Sequence, residues 1–167
     1  MRPFVHDVPA SRVVFGVGAL AQVGDEVERL GGTRVMLIAG GPEAAFAPAI
    51  EEQLGDRVVA RFSDVTMHVP VEVARQAVKD AANADVDLLL SLGGGSSTGT
   101  AKAVAKESGL PILAVPTTYA GSEMTSIWGL TENNRKVTGR DVRVLPRTVV
   151  YDPALTVGLP VDLSAAS

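Results

Sequence analysis

The sequence predicts an α/β fold: a Rossmann-like, mostly parallel sheet with helices on both faces, and an added β-hairpin. In segments such as Arg34–Ala39 and Val86–Leu92 apolar residues follow one another rather than alternate with polar ones, which is typical of strands buried on both faces. Between such runs, apolar residues recur every three or four positions, as in Pro70–Ala84, which indicates helices. Strands and helices that alternate in this way favour a parallel sheet.

The chain follows this alternation up to Ser126. There the pattern changes, and a turn-rich group at residues 132–135 predicts a hairpin. In chain order the predicted elements are strand Arg12–Phe15, a helix over Leu20–Leu30, strand Arg34–Ala39, a helix carrying Phe46, Ile50 and Leu54, strand Arg57–Phe62, helix Pro70–Ala84, strand Val86–Leu92, a helix of about ten residues, strand Pro111–Val115, hairpin strands Ser126–Thr131 and Lys136–Thr138, and strand Thr148–Tyr151.

Composition narrows the possible function classes. The 167 residues are 46% hydrophobic and 20% charged, which is enough apolar material for a packed core and unlike a disordered chain. A net charge of −4 argues against a nucleic-acid partner. The absence of cysteine removes thiolate chemistry and suits a reducing cytoplasm, where we expect the protein. No apolar run approaches the roughly 20 residues of a membrane span, so we expect no membrane partner.

The sequence is interpreted as one domain with the beginning of a second. Residues 1–160 contain the elements of a complete α/β unit, and residues 161–167 look like the first turns of an amphipathic helix. A helix that ends there has nothing to pack on, which favours a truncated gene fragment. A frayed natural C-terminus is the alternative.

The strongest local signal is a run of glycines and hydroxyl residues directly after an apolar strand. Gly93, Gly94 and Gly95 precede Ser96-Ser97-Thr98, and a helix is expected to begin at Ser97 or Thr98. Backbone without Cβ atoms can approach a pyrophosphate closely, and free N–H groups at a helix start favour a bound anion. The hydroxyls could cap the helix or donate to phosphate. A plain tight turn between strand and helix is the alternative.

Two better-known phosphate motifs do not fit. The P-loop needs a lysine directly after its second glycine, whereas Thr100 follows Gly99 and Lys102 comes two residues later. The segment Gly16–Ala21 matches the G-x-G-x-x-A dinucleotide pattern, but the acid expected about 20 residues further on is missing. We interpret this segment as a helix-entry turn.

A second polar cluster, Pro116–Thr125, follows the next strand along the chain. It therefore lies at the carboxyl end of a strand, where open α/β sheets bind ligands. An ST-rich loop that satisfies its own backbone is the alternative. Five basic residues between Arg135 and Arg147, against the single acid Asp141, would suit an anionic ligand or form an ordinary solvated face.

Candidates for metal binding and acid–base catalysis are few. His6 and His68 are far apart and form no metal-ligand pair, so we expect no metal site in this chain. Each histidine is interpreted as a surface or capping residue rather than a catalyst.

These residues resemble a known family. The segment Gly93–Lys102 resembles the G-G-G-S-x-x-D-x-A-K motif of the iron-containing alcohol dehydrogenase-like superfamily, and Pro116–Thr125 resembles its P-T-T…G-S-E-x-T motif. Residues 9–20, 116–132 and 136–153 are more closely similar to the maleylacetate reductases within it. Gly99 departs from the superfamily's usual Asp, as in the maleylacetate reductases. The resemblance covers about the first half of such an enzyme, and the helical second domain would begin near Leu163.

The resemblance implies the cofactor-binding part of an enzyme that reduces maleylacetate to 3-oxoadipate with NADH or NADPH during aromatic-compound degradation. It implies no catalytic residue and no metal ligand in this chain, because the family's histidines belong to the second domain. By itself, this chain is therefore expected to be inactive. The residues implied to wrap the pyrophosphate are Gly94, Gly95, Ser96, Ser97 and Thr98, and those implied for the ribose and nicotinamide end are Thr117, Thr118, Thr125 and Lys136.

The substrate side is assigned to the loop peculiar to this group, with Tyr119 and Ser122 as candidates. The partners implied are a small dicarboxylate substrate and a second copy of the full-length chain in a homodimer. Gly40 occupies the strand end where NAD-specific relatives often carry Asp, so NADPH should be tolerated. The alternatives are the nucleotide-binding half of a metal-dependent alcohol or glycerol dehydrogenase, and a stand-alone nucleotide-binding module.

Overall fold

The computed structural model describes residues 10–133 and 135–166 and contains a six-stranded parallel sheet. Its strands lie in the order β1-β8-β5-β4-β2-β3, and a separate antiparallel hairpin is formed by β6 and β7. The strands are β1 (Arg12–Phe15), β2 (Val35–Ile38), β3 (Val58–Phe62), β4 (Leu88–Gly93), β5 (Ile112–Pro116), β6 (Ile127–Glu132), β7 (Arg135–Arg140) and β8 (Thr148–Tyr151).

The helices connect these strands as predicted, with short 3-10 turns between them. In the described residues no helix is long and apolar enough to cross a membrane. A short last helix does begin near residue 161, but its assignment to a second domain stays a prediction. The helices are α1 (Val23–Arg29), α2 (Ala47–Leu54), α3 (Val71–Asn83), α4 (Gly95–Ser108) and α5 (Val161–Ala166).

Helices cover both faces of the sheet, which confirms the predicted architecture. Side chains alternate along β4, where Leu88 and Leu90 join one apolar cluster and Leu89 joins the other. The first cluster packs the sheet against α1 and α2, and the second packs it against α3 and α4. All three leucines are fully buried, and burying each one contributes about 2 kcal/mol. Because both faces of these strands are buried, apolar residues follow one another along them in the sequence.

The strand order creates a crevice at the carboxyl ends of β2 and β4. The chain passes from β2 outward to β3 on one side, and from β4 to β5 on the other. Loops that leave two adjacent strands in opposite directions separate and leave an opening, which is the usual ligand site of open α/β sheets. The Gly93–Gly95 run leaves β4 at this opening.

The predicted hairpin is present, with a tighter turn than expected. Glu132 and Arg135, which the prediction placed in the turn, belong to the strands and face each other across the ladder. The hairpin leans on α4, and Thr131 also bridges to Pro70 before α3. These contacts place β6 against the helix that follows the glycine run, and the basic strand β7 pairs with β6.

The Gly16–Ala21 segment is a helix-entry turn, as predicted, and a carboxylate of the chain itself occupies it. The N–H groups of Gly18 and Leu20 both donate to Asp152 at 3.1 Å, and Asp152 also accepts from the Ala154 N–H at 3.0 Å. Gly18 has a φ of 82°, a conformation that favours glycine. The anion-binding capacity of this turn is therefore already used within the fold.

We expect Asp152→Ala to lower the free energy of unfolding by about 2 kcal/mol, because it leaves N–H donors of three residues without their acceptor. Urea unfolding followed by circular dichroism measures the change. Asp56→Ala removes an exposed carboxylate and serves as the control. Equal losses in the two variants would show that Asp152 does not hold this turn.

Candidate cofactor site

Strand β4 ends in a turn that only glycine can make. Gly93 has a φ of 139°, and a Cβ at this position would lie 2.4 Å from Ser97 Oγ. Helix α4 begins at Gly95, two or three residues earlier than predicted, with Gly94 as its N-cap. A hydroxyl cap was one of the two roles considered for Ser96, Ser97 and Thr98. Instead the extended backbone of Gly94 starts the helix, and no side chain caps it.

The uncapped helix start leaves backbone donors free. The first N–H groups of a helix have no partner within it, and here no side chain replaces that partner. Together with the helix dipole, they form an anion site at the end of a 14-residue helix. The Thr98 N–H already donates to the Gly94 carbonyl at 3.2 Å. The Gly95, Ser96 and Ser97 amides are therefore the donors that an anion could meet.

The hydroxyls of this segment are not equally placed. Ser97 and Thr98 are buried, at 3% and 1% exposure, whereas Ser96 is half-buried and lines a cleft. None of the three side chains caps the helix, so of the two roles considered for these hydroxyls, capping is excluded. The assignment of the five residues Gly94–Thr98 to pyrophosphate stays a prediction.

The two polar clusters meet at one edge of the sheet, as predicted. Gly93 is paired with Pro116 across the ladder, and the Thr117 N–H donates to the Gly93 carbonyl at 3.1 Å. Gly94 lies against Thr118, where a Cβ would come within 2.9 Å of Thr118 Cγ2. The Thr117 hydroxyl is buried and has no hydrogen-bond partner among the described residues. A polar group left unsatisfied at the glycine turn fits a site that a ligand completes.

A buried lysine, which the sequence analysis missed, joins the two clusters. Lys102 lies on α4 with 1% of its surface exposed, and its Nζ donates to three backbone carbonyls of the following loop. The acceptors are Ser122 at 2.6 Å, Thr125 at 2.7 Å and Ile127 at 2.8 Å, and Thr125 Oγ1 accepts at 3.1 Å. The position of Lys102 in the family motif was the one sequence signal for its role. Its burial was not indicated, because a lysine on a helix is usually exposed to solvent.

Burial lowers the pKa of the Lys102 ammonium to about 8, and the nearby Glu123 carboxylate opposes this shift. Glu123 is itself buried and accepts a hydrogen bond from the Tyr151 hydroxyl at 2.7 Å. Burial, followed by this bond, raises the pKa of Tyr151, so the phenol stays protonated. The loop between β5 and β6 is therefore held from both sides, by a cation on α4 and by a phenol on β8.

A cleft of about 510 Å³ opens between α4, this loop and the hairpin. The predicted site residues on its wall are Gly95, Ser96, Ser122, Thr125 and Lys136. The Thr125 hydroxyl already takes part in the loop's own bonds, since it accepts from Lys102 and donates to the Ser122 carbonyl. The other described residues on the wall are Met67, His68, Val69, Gly99, Lys102, Ala120, Gly121, Ile127, Trp128, Gly129 and Thr138.

The two substrate-side candidates do not share this cleft. Ser122 lines it, whereas Tyr119, 56% exposed, lines a second cavity of about 450 Å³ together with Thr118, Glu123 and Tyr151. The chain reverses between the candidates at Gly121, whose φ is 69°. The two residues therefore belong to opposite sides of the loop.

The described residues offer no metal site. No group of three or more His, Asp or Glu side chains lies close enough to hold an ion in the described ranges 10–133 and 135–166. His6 lies outside these residues, and His68 is exposed on the wall of the cleft. A metal therefore does not fit the described part of the chain.

The match to known sequences defines the class. Residues 10–153 match the family described as iron-containing alcohol dehydrogenase, and the chain belongs to this family. A more specific likeness is to its maleylacetate reductases. The chain is 50% identical over its whole length to the maleylacetate reductase of Burkholderia cepacia and 46% identical to maleylacetate reductase 1 of Cupriavidus pinatubonensis.

Solved structures agree with this assignment. The maleylacetate reductase of Agrobacterium tumefaciens superimposes with a TM-score of 0.91 at 44% identity, over 98% of this chain and 47% of that protein. The curated relatives are also covered only in part: this chain spans 47% of the Burkholderia cepacia enzyme. The relatives are oxidoreductases, and their N-terminal half has the fold described above.

The lowered pKa of Lys102 predicts a pH-dependent stability. Its pKa falls from 10.5 to about 8 on folding, so between these values the unfolded state binds more protons than the folded state. The free energy of unfolding therefore gains roughly 1 kcal/mol per pH unit from this group as the pH rises from about 8 to about 9.5. Urea unfolding of the wild type should show this gain, and Lys102→Met should lack it.

Lys79→Met is the matched control, because Lys79 is exposed on α3. This variant should keep the wild-type pH dependence. If Lys102→Met keeps it too, the folded protein does not hold Lys102 as a buried ammonium.

Proposed function

We propose that this chain is the cofactor-binding part of a maleylacetate reductase, which reduces maleylacetate to 3-oxoadipate with NADH or NADPH. The observation that carries the proposal is the uncapped start of α4 at a glycine-only turn, placed directly against Thr118 on the next strand end. The relatives at 46–50% identity, which are maleylacetate reductases, support the substrate and product.

The cofactor would be held by groups from both polar clusters. Gly94 and the amides of Gly95, Ser96 and Ser97 would meet the pyrophosphate, with Thr118 beside them and the buried Thr117 hydroxyl free to accept or donate a bond. Thr125 and Lys136 follow further along the cleft and would face the ribose and nicotinamide end. The residues fit a dinucleotide because its negative charge meets donors and no carboxylate lines the cleft wall among the described residues.

The bound nicotinamide would supply the hydride, and the protein would supply position and charge. Residues of this chain would bind the cofactor, orient it by the donors of α4 and hold the loop beside it through Lys102. A more distant solved relative, the NADH-dependent butanol dehydrogenase A of Thermotoga maritima, has the same fold with a TM-score of 0.85 at 26% identity, and its name states the cofactor.

The substrate, a small dicarboxylate, and the homodimer of the full-length enzyme are part of the same proposal. The cationic side chain of Lys136 on the cleft wall supports the dicarboxylate. Strand β1 lies at the edge of the sheet with Val13 and Phe15 exposed at 47% and 75%, which supports an apolar contact there.

We expect Gly95→Asp to weaken NADH binding at least about tenfold, because a carboxylate would occupy the space and repel the charge of the pyrophosphate. The substitution is tolerated by the fold, since a Cβ on Gly95 meets only Ala120 Cβ at an ordinary 3.6 Å. Fluorescence titration of NADH measures the affinity. Gly95→Ala is the control, and its affinity for NADH should fall much less. Equal affinity of wild type and Gly95→Asp would overturn the proposed site.

The strand end at Gly40 predicts that NADPH binds with an affinity within about tenfold of NADH, because position 40 itself carries no carboxylate that would bond the ribose 2′-OH or repel a 2′-phosphate. A Cβ on Gly40 would lie 2.8 Å from the Ser63 carbonyl oxygen, so a side chain cannot be added without a shift. Glu43 approaches the same turn, with Oε2 3.2 Å from a Cβ built on Gly41. Glu43→Gln should therefore improve NADPH binding relative to NADH. A wild type that binds NADH but not NADPH would contradict this prediction.

A further inference from the structure

A strained segment forms the wall of the cleft opposite the start of α4. His68 and Val69 have φ values of 65° and 46°, so two consecutive residues with side chains adopt a left-handed conformation. This conformation is unfavourable for any residue with a side chain, and a β-branched residue such as Val69 rarely adopts it. Such strain persists only where the surrounding structure enforces it, and it is concentrated at functional sites.

The hairpin enforces this conformation through the backbone. The Thr131 hydroxyl donates to the His68 carbonyl at 2.8 Å, and the Thr131 N–H donates to the Val69 carbonyl at 3.0 Å. The Val69 N–H in turn donates to the Thr66 carbonyl at 3.1 Å. Both carbonyls of the strained pair are thus fixed by one residue of β6.

The side chain of Val69 fixes the segment from the other side. It is 4% exposed and packs with Ala74, Ala103 and Leu130. Gly99 on α4 makes room for it, because a Cβ at Gly99 would lie 2.8 Å from Val69 Cγ2. The buried side chain of Val69 therefore fixes the segment in place. Its neighbour His68 stays exposed and lies on the cleft wall.

The charges of the cleft wall define what His68 could bind. The ionisable side chains on the wall are His68, Lys102 and Lys136, and none of the described wall residues is Asp or Glu. The N–H donors of the Lys102 ammonium are already occupied by acceptors of the loop and β6. His68 and Lys136 remain as nitrogen donors for an anion other than the pyrophosphate, whose site lies at Gly95 and Ser96.

We propose that His68 is a substrate-binding residue, which donates a hydrogen bond from its imidazole to one carboxylate of the dicarboxylate substrate. The inference rests on the proposed function, because it takes the anionic substrate from there. It replaces the interpretation of His68 as a plain surface residue. Because Thr131 fixes the backbone at His68, only the side-chain torsions of His68 have to be ordered on binding, which favours recognition at this position.

The test uses the 167-residue chain, saturated with NADH, and maleate as the dicarboxylate probe. Maleate binding is followed by the fluorescence of Trp128, the single tryptophan of the sequence, which lines the same cleft. His68→Gln should raise the Kd for maleate at least about tenfold and leave the Kd for NADH within about twofold, since a charge-assisted bond is lost only on the substrate. Maleate should also shift the imidazole proton signals of His68.

Met67→Gln is the matched control, because Met67 is an exposed residue of the same segment and lines the same cleft. It should change the maleate Kd by less than about twofold. Thr131→Val, which removes the hydroxyl bond to the His68 carbonyl, should weaken maleate binding to an intermediate degree.

The outcomes separate the two proposals. If NADH fails to bind the wild type, the proposed function is wrong. If NADH binds while maleate does not, or while His68→Gln and Met67→Gln bind maleate equally well, then the assignment of His68 is wrong and the cofactor site stands.

Discussion

The buried ammonium of Lys102 is the interaction on which the site depends. Its three N–H donors are shared among four oxygen acceptors and tie α4, whose first turn carries the free amides, to the loop that carries Ser122 and Thr125. Without them the loop would face the helix with unpaired carbonyls, and breaking a buried charged contact of this kind is costly. The Tyr151–Glu123 bond supports the same loop from β8. The buried Lys102 ammonium therefore holds in place the loop that forms one wall of the cleft.

The fold also separates two glycine turns that look alike in sequence. At Gly16–Gly18 the chain supplies its own anion, Asp152, and the N–H groups are satisfied. At Gly93–Gly95 no side chain caps the helix, and the neighbouring Thr117 hydroxyl has no partner among the described residues. The contrast explains why only the second turn fits a phosphate group. It depends on where Asp152 lies, more than 130 residues from the turn that it fills.

The architecture could be predicted from the sequence because its strands and helices each produce a local pattern of apolar residues. Leu88–Leu92 is apolar except at Ser91, since both faces of β4 are buried, and the apolar residues of α3 recur at helical spacing. The start of α4 was predicted two or three residues too late, because the helix begins at Gly95 after the extended backbone of Gly94 and not at a hydroxyl residue. Lys102 was missed because its burial depends on three carbonyls of another element. The left-handed conformation of His68 and Val69 likewise depends on Thr131, 63 residues away from His68.

The most direct test of the central claim is to follow the backbone amide signals of the chain by NMR while NADH is added. The account predicts that the amides of Gly95, Ser96 and Ser97 shift most, because they lie at the uncapped start of α4. The amides of Gly18 and Leu20, already bound to Asp152, should move little. Shifts concentrated at Gly18 and Leu20, with α4 unchanged, would contradict the assignment of the cofactor site.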